Sequence, residues 1–103
     1  MDLQALGESL GLEKDEFIEI VEIFLESAES DVKRLEDAII AQNSSALSEA
    51  AHSLKGSAGN LGFMEISDLS ASIEDKARQN KIEGLASSIP ILASLINGIR
   101  AHI

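Results

Sequence analysis

His52 is one of two histidines in the chain, and its surroundings give it the most chemistry to offer. Around it the sequence runs Ala51-His52-Ser53-Leu54-Lys55-Gly56-Ser57-Ala58-Gly59-Asn60-Leu61-Gly62-Phe63. A neutral imidazole is a good nucleophile toward phosphorus near pH 7, where few other side chains match it. One ring nitrogen attacks while the other keeps its proton. An acceptor for that proton therefore sets both the tautomer and the orientation of the ring. A cation within reach offsets the charge that gathers during phosphoryl transfer. Lys55 can be that cation, since in a helix it lies one turn from His52 on the same side. Glu74, 22 residues after His52, is a candidate acceptor. It flanks the apolar stripe of its own segment by about 95°, which lets it lie at a helix seam. For both charges the plain alternative is a solvated surface side chain.

The helix that would present His52 is legible in its spacing. Leu47, Ala51, Leu54, Ala58 and Leu61 step by 4, 3, 4 and 3, which makes one buried stripe. At about 100° per residue, His52 points roughly 140° away from that stripe, into solvent. Gly56 and Gly59 share its side. A glycine inside a helix costs about 1 kcal/mol relative to alanine, so two of them beside an exposed imidazole suggest clearance for a partner. Ser53 and Ser57 point sideways and read as packing. Gly62 reads as the left-handed residue that ends the helix, with Phe63 folding back. Glu49 and His52 form an E-x-x-H pair of the di-iron kind, but such sites need a second inward-facing pair and two further Glu. Here there is one pair and it faces out, so a metal site is set aside. No G-x-x-x-x-G-K-[ST] loop is present, so no ATP site is evident.

The string H-x-L-K-G-S-A-x-x-L-G, carried by His52, Leu54, Lys55, Gly56, Ser57, Ala58, Leu61 and Gly62, resembles the histidine-containing phosphotransfer (HPt) domain family. Only 52–62 is specific; over 14–102 the agreement is one of pattern and length. The resemblance implies an all-α fold, an antiparallel up-down four-helix bundle. It implies His52 as phosphoacceptor, Lys55 as the stabiliser of phosphoryl charge, and Glu74 as the residue that orients His52. A Glu or Gln often stands at that spacing in the family. Ser48, Gly56 and Gly59 are expected at the partner-docking surface. The implied function is a phosphohistidine carrier in a two-component multistep phosphorelay, shuttling a phosphoryl group between receiver-domain aspartates. The implied partners are response-regulator receiver domains or a hybrid histidine kinase. Mg²⁺ is expected on the receiver and no cofactor on this chain, which would be a carrier and substrate and not an enzyme. The alternatives are the phosphoacceptor domain of a chemotaxis-type kinase, and a helical interaction module without phosphoryl chemistry.

Composition agrees with a small helical domain. At 103 residues a single domain over 1–103 is expected. Apolar residues make up 45% and only three are aromatic, so the core must come from Leu, Ile, Val and Ala. Cysteine is absent, which excludes disulfides and thiolate metal sites and favours a cytoplasmic home. No apolar run approaches the roughly 18 residues of a membrane span. The start, Met1-Asp2-Leu3-Gln4, does not read as a signal peptide. Its Met and the compact length lean toward a free-standing protein, expected to be a monomer. The net charge is −10, and residues 1–51 hold 13 acidic against 3 basic side chains. Nucleic acid and anionic membranes are poor partners for such a surface. The acidity serves solubility, or keeps acid away from a face that must carry a phosphoryl group.

The remaining segments must position His52. A short helix over 2–10 is expected, capped by Asp2 and lying across one end of the bundle. The next helix spans 14–42, with Phe17, Val21, Phe24, Ala28, Val32, Leu35 and Ile39 as its stripe and acid on its other faces. Ser44 or Ser45 is expected to cap the His52 helix, which runs to Leu61. A third long helix spans 64–80, with Ile66, Leu69, Ile73 and Ala77 inward. In 82–103 the stripe is Leu85, Ile89, Leu92, Ile96, Ile99 and Ile103. Pro90 falls within it, so that segment either kinks or begins again at Ser87-Ser88 with Pro90 in its first turn.

Overall fold

The computed structural model describes residues 2–103; Met1, where the expected domain begins, lies outside them. Its helices are α1 (Leu3–Ser9), α2 (Lys14–Ala41), α3 (Ser44–Asn60), α4 (Met64–Arg78) and α5 (Ser88–Arg100), with a 3₁₀ turn at Leu85–Ser87 before α5. At about 1.5 Å per residue, the 28 residues of α2 account for the 42 Å long axis of the molecule. The four long helices run alternately up and down, and α2, α3, α4 and α5 each pack on the next around a closed ring. This is the expected antiparallel bundle. No helix among the described residues is long and apolar enough to cross a membrane.

The core follows the apolar stripes. Val21, Ala28 and Leu35 of α2, Leu47, Leu54 and Ala58 of α3, and Leu92 and Ile99 of α5 are fully buried. Burying each Leu or Ile side chain contributes about 1.5–3 kcal/mol, so these stripes are what holds the helices together. Phe24 and Phe63 meet with ring centroids 5.2 Å apart, tilted by 48°. Phe63 reaches that position because α3 ends as its sequence implies. Gly62 takes φ +83°, its amide bonds Gly59 O, and the Phe63 amide bonds Ala58 O. That is the paired hydrogen bonding of a Schellman stop, and it folds Phe63 back onto the bundle.

Several expectations are corrected. The α3 cap is Asn43, whose side chain accepts the Ala46 amide at 3.0 Å; Ser44 and Ser45 lie inside the first turn. Asn43 has the extended backbone a cap needs, and the carboxamide oxygen reaches the third amide of the helix. In α4 the buried set is Ile66, Ser67, Ser70, Ile73, Glu74 and Ala77, while Leu69 is only half-buried. The helix is thus rotated so that its small and polar side chains face α3, which lets the two backbones approach closely. In α2, Asp31 is buried with the apolar stripe, and Val32 and Ile39 are half-buried. Of the two readings for the last segment, the restart is correct. Pro90 is the third residue of α5, where its missing amide has no intrahelical partner to lose. Helix α5 stops at Arg100, and Ile103 is 43% exposed rather than part of the stripe.

Helix α1 begins with Asp2 as cap, as expected, its carboxylate accepting the Ala5 amide at 3.1 Å. A side chain at Gly7 would stand 3.0 Å from Phe17, so that glycine lets α1 lie directly on α2. The other face of α1 and the start of α4 border an apolar pocket of about 530 Å³ at this end of the bundle.

Candidate functional site

α3 lies between α2 and α4, and each neighbour sends one buried carboxylate to it. From α4 comes Glu74, which is only 2% exposed. Its Oε2 lies 2.7 Å from His52 Nδ1, and its Oε1 accepts from Lys55 Nζ at 2.6 Å. Arg78, one turn further along α4, forms an ion pair with the same carboxylate, its Nη2 2.9 Å from Oε2. Three side chains from two helices thus converge on one carboxylate. The seam position inferred for Glu74 holds, but the residue is buried and is no solvated helix carboxylate.

The electrostatics follow from those contacts. The hydrogen bond from Lys55 holds the Glu74 carboxyl below its ordinary value; burial opposes this, and the contacts with His52 and Arg78 add to it. Glu74 is therefore ionised at neutral pH and can only accept. The proton between it and His52 must sit on Nδ1. In the neutral ring that leaves the lone pair on Nε2. The His52 side chain is 63% exposed, so the ring edge opposite the Glu74 contact is open to solvent. Lys55 and Arg78 together bring two positive charges against one negative, leaving the cluster with one positive charge in excess.

The sequence-derived residues do not all behave alike. His52, Lys55 and Glu74 are brought together. At Gly56 a Cβ would meet nothing within 4 Å, so this residue faces open space beside the ring. Gly59 differs: a Cβ there would lie 3.2 Å from Ser67 Oγ, which itself donates to the Lys55 carbonyl. Its absent side chain serves the α3–α4 contact, whatever else it serves. Ser48 is half-buried and lines a cleft of about 280 Å³ with Glu49 and Arg78. Among the described residues no group of His, Asp and Glu is placed to hold a metal ion.

Two residues escaped sequence reasoning. Arg78 carried no motif; only its position four residues after Glu74 could have marked it, as an i,i+4 partner. Asp31 read as one more acidic residue of α2. It is 4% exposed and accepts from Ser53 Oγ at 2.9 Å and from Arg34 Nη1 at 3.1 Å. Ser53 neighbours His52, so Asp31 braces α3 from the α2 side as Glu74 does from the α4 side. Ser57 donates to its own helix at Leu54 O, in keeping with a packing role.

A protein-family model described as the Hpt domain matches residues 19–102. No curated protein and no solved structure gives a significant match to the chain.

Proposed function

The chain belongs to the Hpt domain family, and on that premise we propose that it carries a phosphoryl group on Nε2 of His52 between receiver-domain aspartates. Hpt domains are phosphotransfer modules of phosphorelays, carriers more than catalysts. The observation that supports the finer reading is the His52–Glu74 contact at 2.7 Å on an otherwise exposed ring. It keeps the proton on Nδ1 and the nucleophilic lone pair outward, where a partner's phosphoaspartate can arrive in line. Nε2 attacks phosphorus, the aspartyl oxygen leaves as carboxylate, and the ring becomes a phosphoimidazolium balanced by Glu74. Return transfer reverses these bonds.

Lys55 has a second task in this scheme. It begins on Glu74 and sits one turn from His52, so a short swing takes its ammonium to the incoming phosphoryl oxygens. Arg78 stays on Glu74 and keeps that buried carboxylate paired during the exchange. Gly56 leaves the approach clear, and Ser48 borders it. Mg²⁺ would belong to the receiver, held by the receiver's own carboxylates, and the relay would operate in the cytoplasm.

The test is label transfer from a panel of phosphorylated receivers. His52→Gln is expected to abolish acid-labile, base-stable labelling while the far-UV CD spectrum stays helical. Labelling that survives the substitution, or appears as acid-stable phosphate, would sink the reading.

A further inference from the structure

The positive charge at His52 is in place before any partner arrives. Lys55 and Arg78 lie 2.6 and 2.9 Å from the one Glu74 carboxylate, on a chain whose net charge is −10. The His52 side chain is largely exposed, and beyond its chain neighbours and the backbone of α3 nothing lies within 4 Å of a Cβ built at Gly56.

We propose that His52 also takes a phosphoryl group directly from small phosphoramidate-type donors, without a partner protein. This rests on His52 being the phosphoacceptor. The chemistry matches what the site has and what it does not need. A phosphoramidate zwitterion carries its leaving amine already protonated, so it departs as neutral ammonia with no acid and no metal. The Nε2 lone pair forms the new N–P bond. The donor's P–N bond breaks, and its electron pair leaves with the ammonia. Nδ1 keeps its proton against Glu74, and the product is the phosphoimidazolium. Charge balances: a donor of charge −1 and a neutral ring give a phosphoryl-ring product of charge −1 and ammonia. Lys55 and Arg78 attract the donor, and Lys55 follows its oxygens through the transfer.

His102 supplies the comparison within the same molecule. It is exposed in the closing turn of the chain, away from the Glu74 cluster. The experiment incubates the full chain with potassium phosphoramidate and no added metal, and follows both histidines by ³¹P and ¹H–¹⁵N NMR. His52 is expected to label about tenfold faster than His102, well below the roughly 100- to 1,000-fold a donor is worth in a dry site. Lys55→Gln and Arg78→Gln, singly and together, are expected to bring the His52 rate toward that of His102 with helical content kept. Equal rates at the two histidines of the unaltered chain overturn the proposal, as does a His52 rate indifferent to both substitutions. A parallel arm with phosphorylated receivers separates the two readings. Label from a receiver but not from phosphoramidate sinks only the direct route, and label from neither sinks both.

Discussion

Replacing Glu74 by glutamine tests the site at its centre. The carboxylate is buried, yet the three groups it holds are not: the side chains of Lys55, His52 and Arg78 are 34%, 63% and 63% exposed. Removing one partner of a fully buried ion pair costs about 3–5 kcal/mol, because a charge is left dry. Here the stranded cations can turn into water, so the loss is smaller. Two contacts to half-exposed cations, each near the upper end of the 0–1 kcal/mol of an exposed pair, give about 1.5 kcal/mol. For a domain of about 100 residues that lowers Tm by roughly 6–12 °C. The structure thus raises the cost above the near-zero one that a solvated Glu74 would carry. The sign with pH is set by the depressed Glu74 carboxyl, whose ordinary value is 4.5. Its contribution is full above that value and is lost as pH falls through the lower, folded one. Thermal melts of both proteins from pH 7 to pH 3 are the assay. The gap in Tm is expected to be full at pH 7 and to close in acid. Phosphoryl uptake should slow in parallel, since a neutral amide no longer balances the phosphoimidazolium. Equal Tm at pH 7, or a gap undiminished at pH 3, would show that the ionised Glu74 does not hold this cluster together.

The two glycines beside His52 are expected to part company. Gly56→Ala should stabilise by up to about 1 kcal/mol in denaturant melts, because its Cβ meets open space, whereas Gly59→Ala should gain less or lose, because Ser67 must give way. Gly56→Leu should also fold but transfer slowly, and normal transfer kinetics would remove the clearance argument. Asn43→Ala should cost about 1 kcal/mol of stability through the lost cap of α3, with little change for Ser44→Ala or Ser45→Ala. Asp31→Ala should cost about 1–3 kcal/mol, as a buried carboxylate bonded to Ser53 and Arg34 is lost, and should broaden the His52 resonances in NMR if Asp31 braces α3.

How much of this was written in the sequence can be seen residue by residue. The spans of α2 and α3 were legible to within a residue or two, because a 3.6-residue apolar period is a local signal that needs only one helix to be read. So was the end of α3, since few residues other than glycine settle readily at the φ of +83° found at Gly62. The outward angle of His52 followed from the same period. Pro90 left two readings open, a kink or a restart. Both satisfy proline's missing amide, and only the turn made by Leu85–Ser87 decides between them.

What needed the tertiary structure is of another kind. Asp31, Ser67 and Glu74 are polar residues buried between helices. Periodicity assigns such residues to solvent, because burial of a polar group is favourable only when a partner from elsewhere pairs with it. For Asp31 that partner includes Ser53, and for Ser67 it is the Lys55 carbonyl, both far off in sequence. The same holds for the cap of α3, where the sequence pointed to Ser44 or Ser45 and backbone geometry chose Asn43. It holds most of all for the cluster at His52. Helical spacing alone required an imidazole facing outward with a lysine one turn away. Only the packing of α4 against α3 decided that Glu74 would be buried there and hold both Nδ1 and Lys55, because those contacts join residues whose separation along the chain carries no periodic signal.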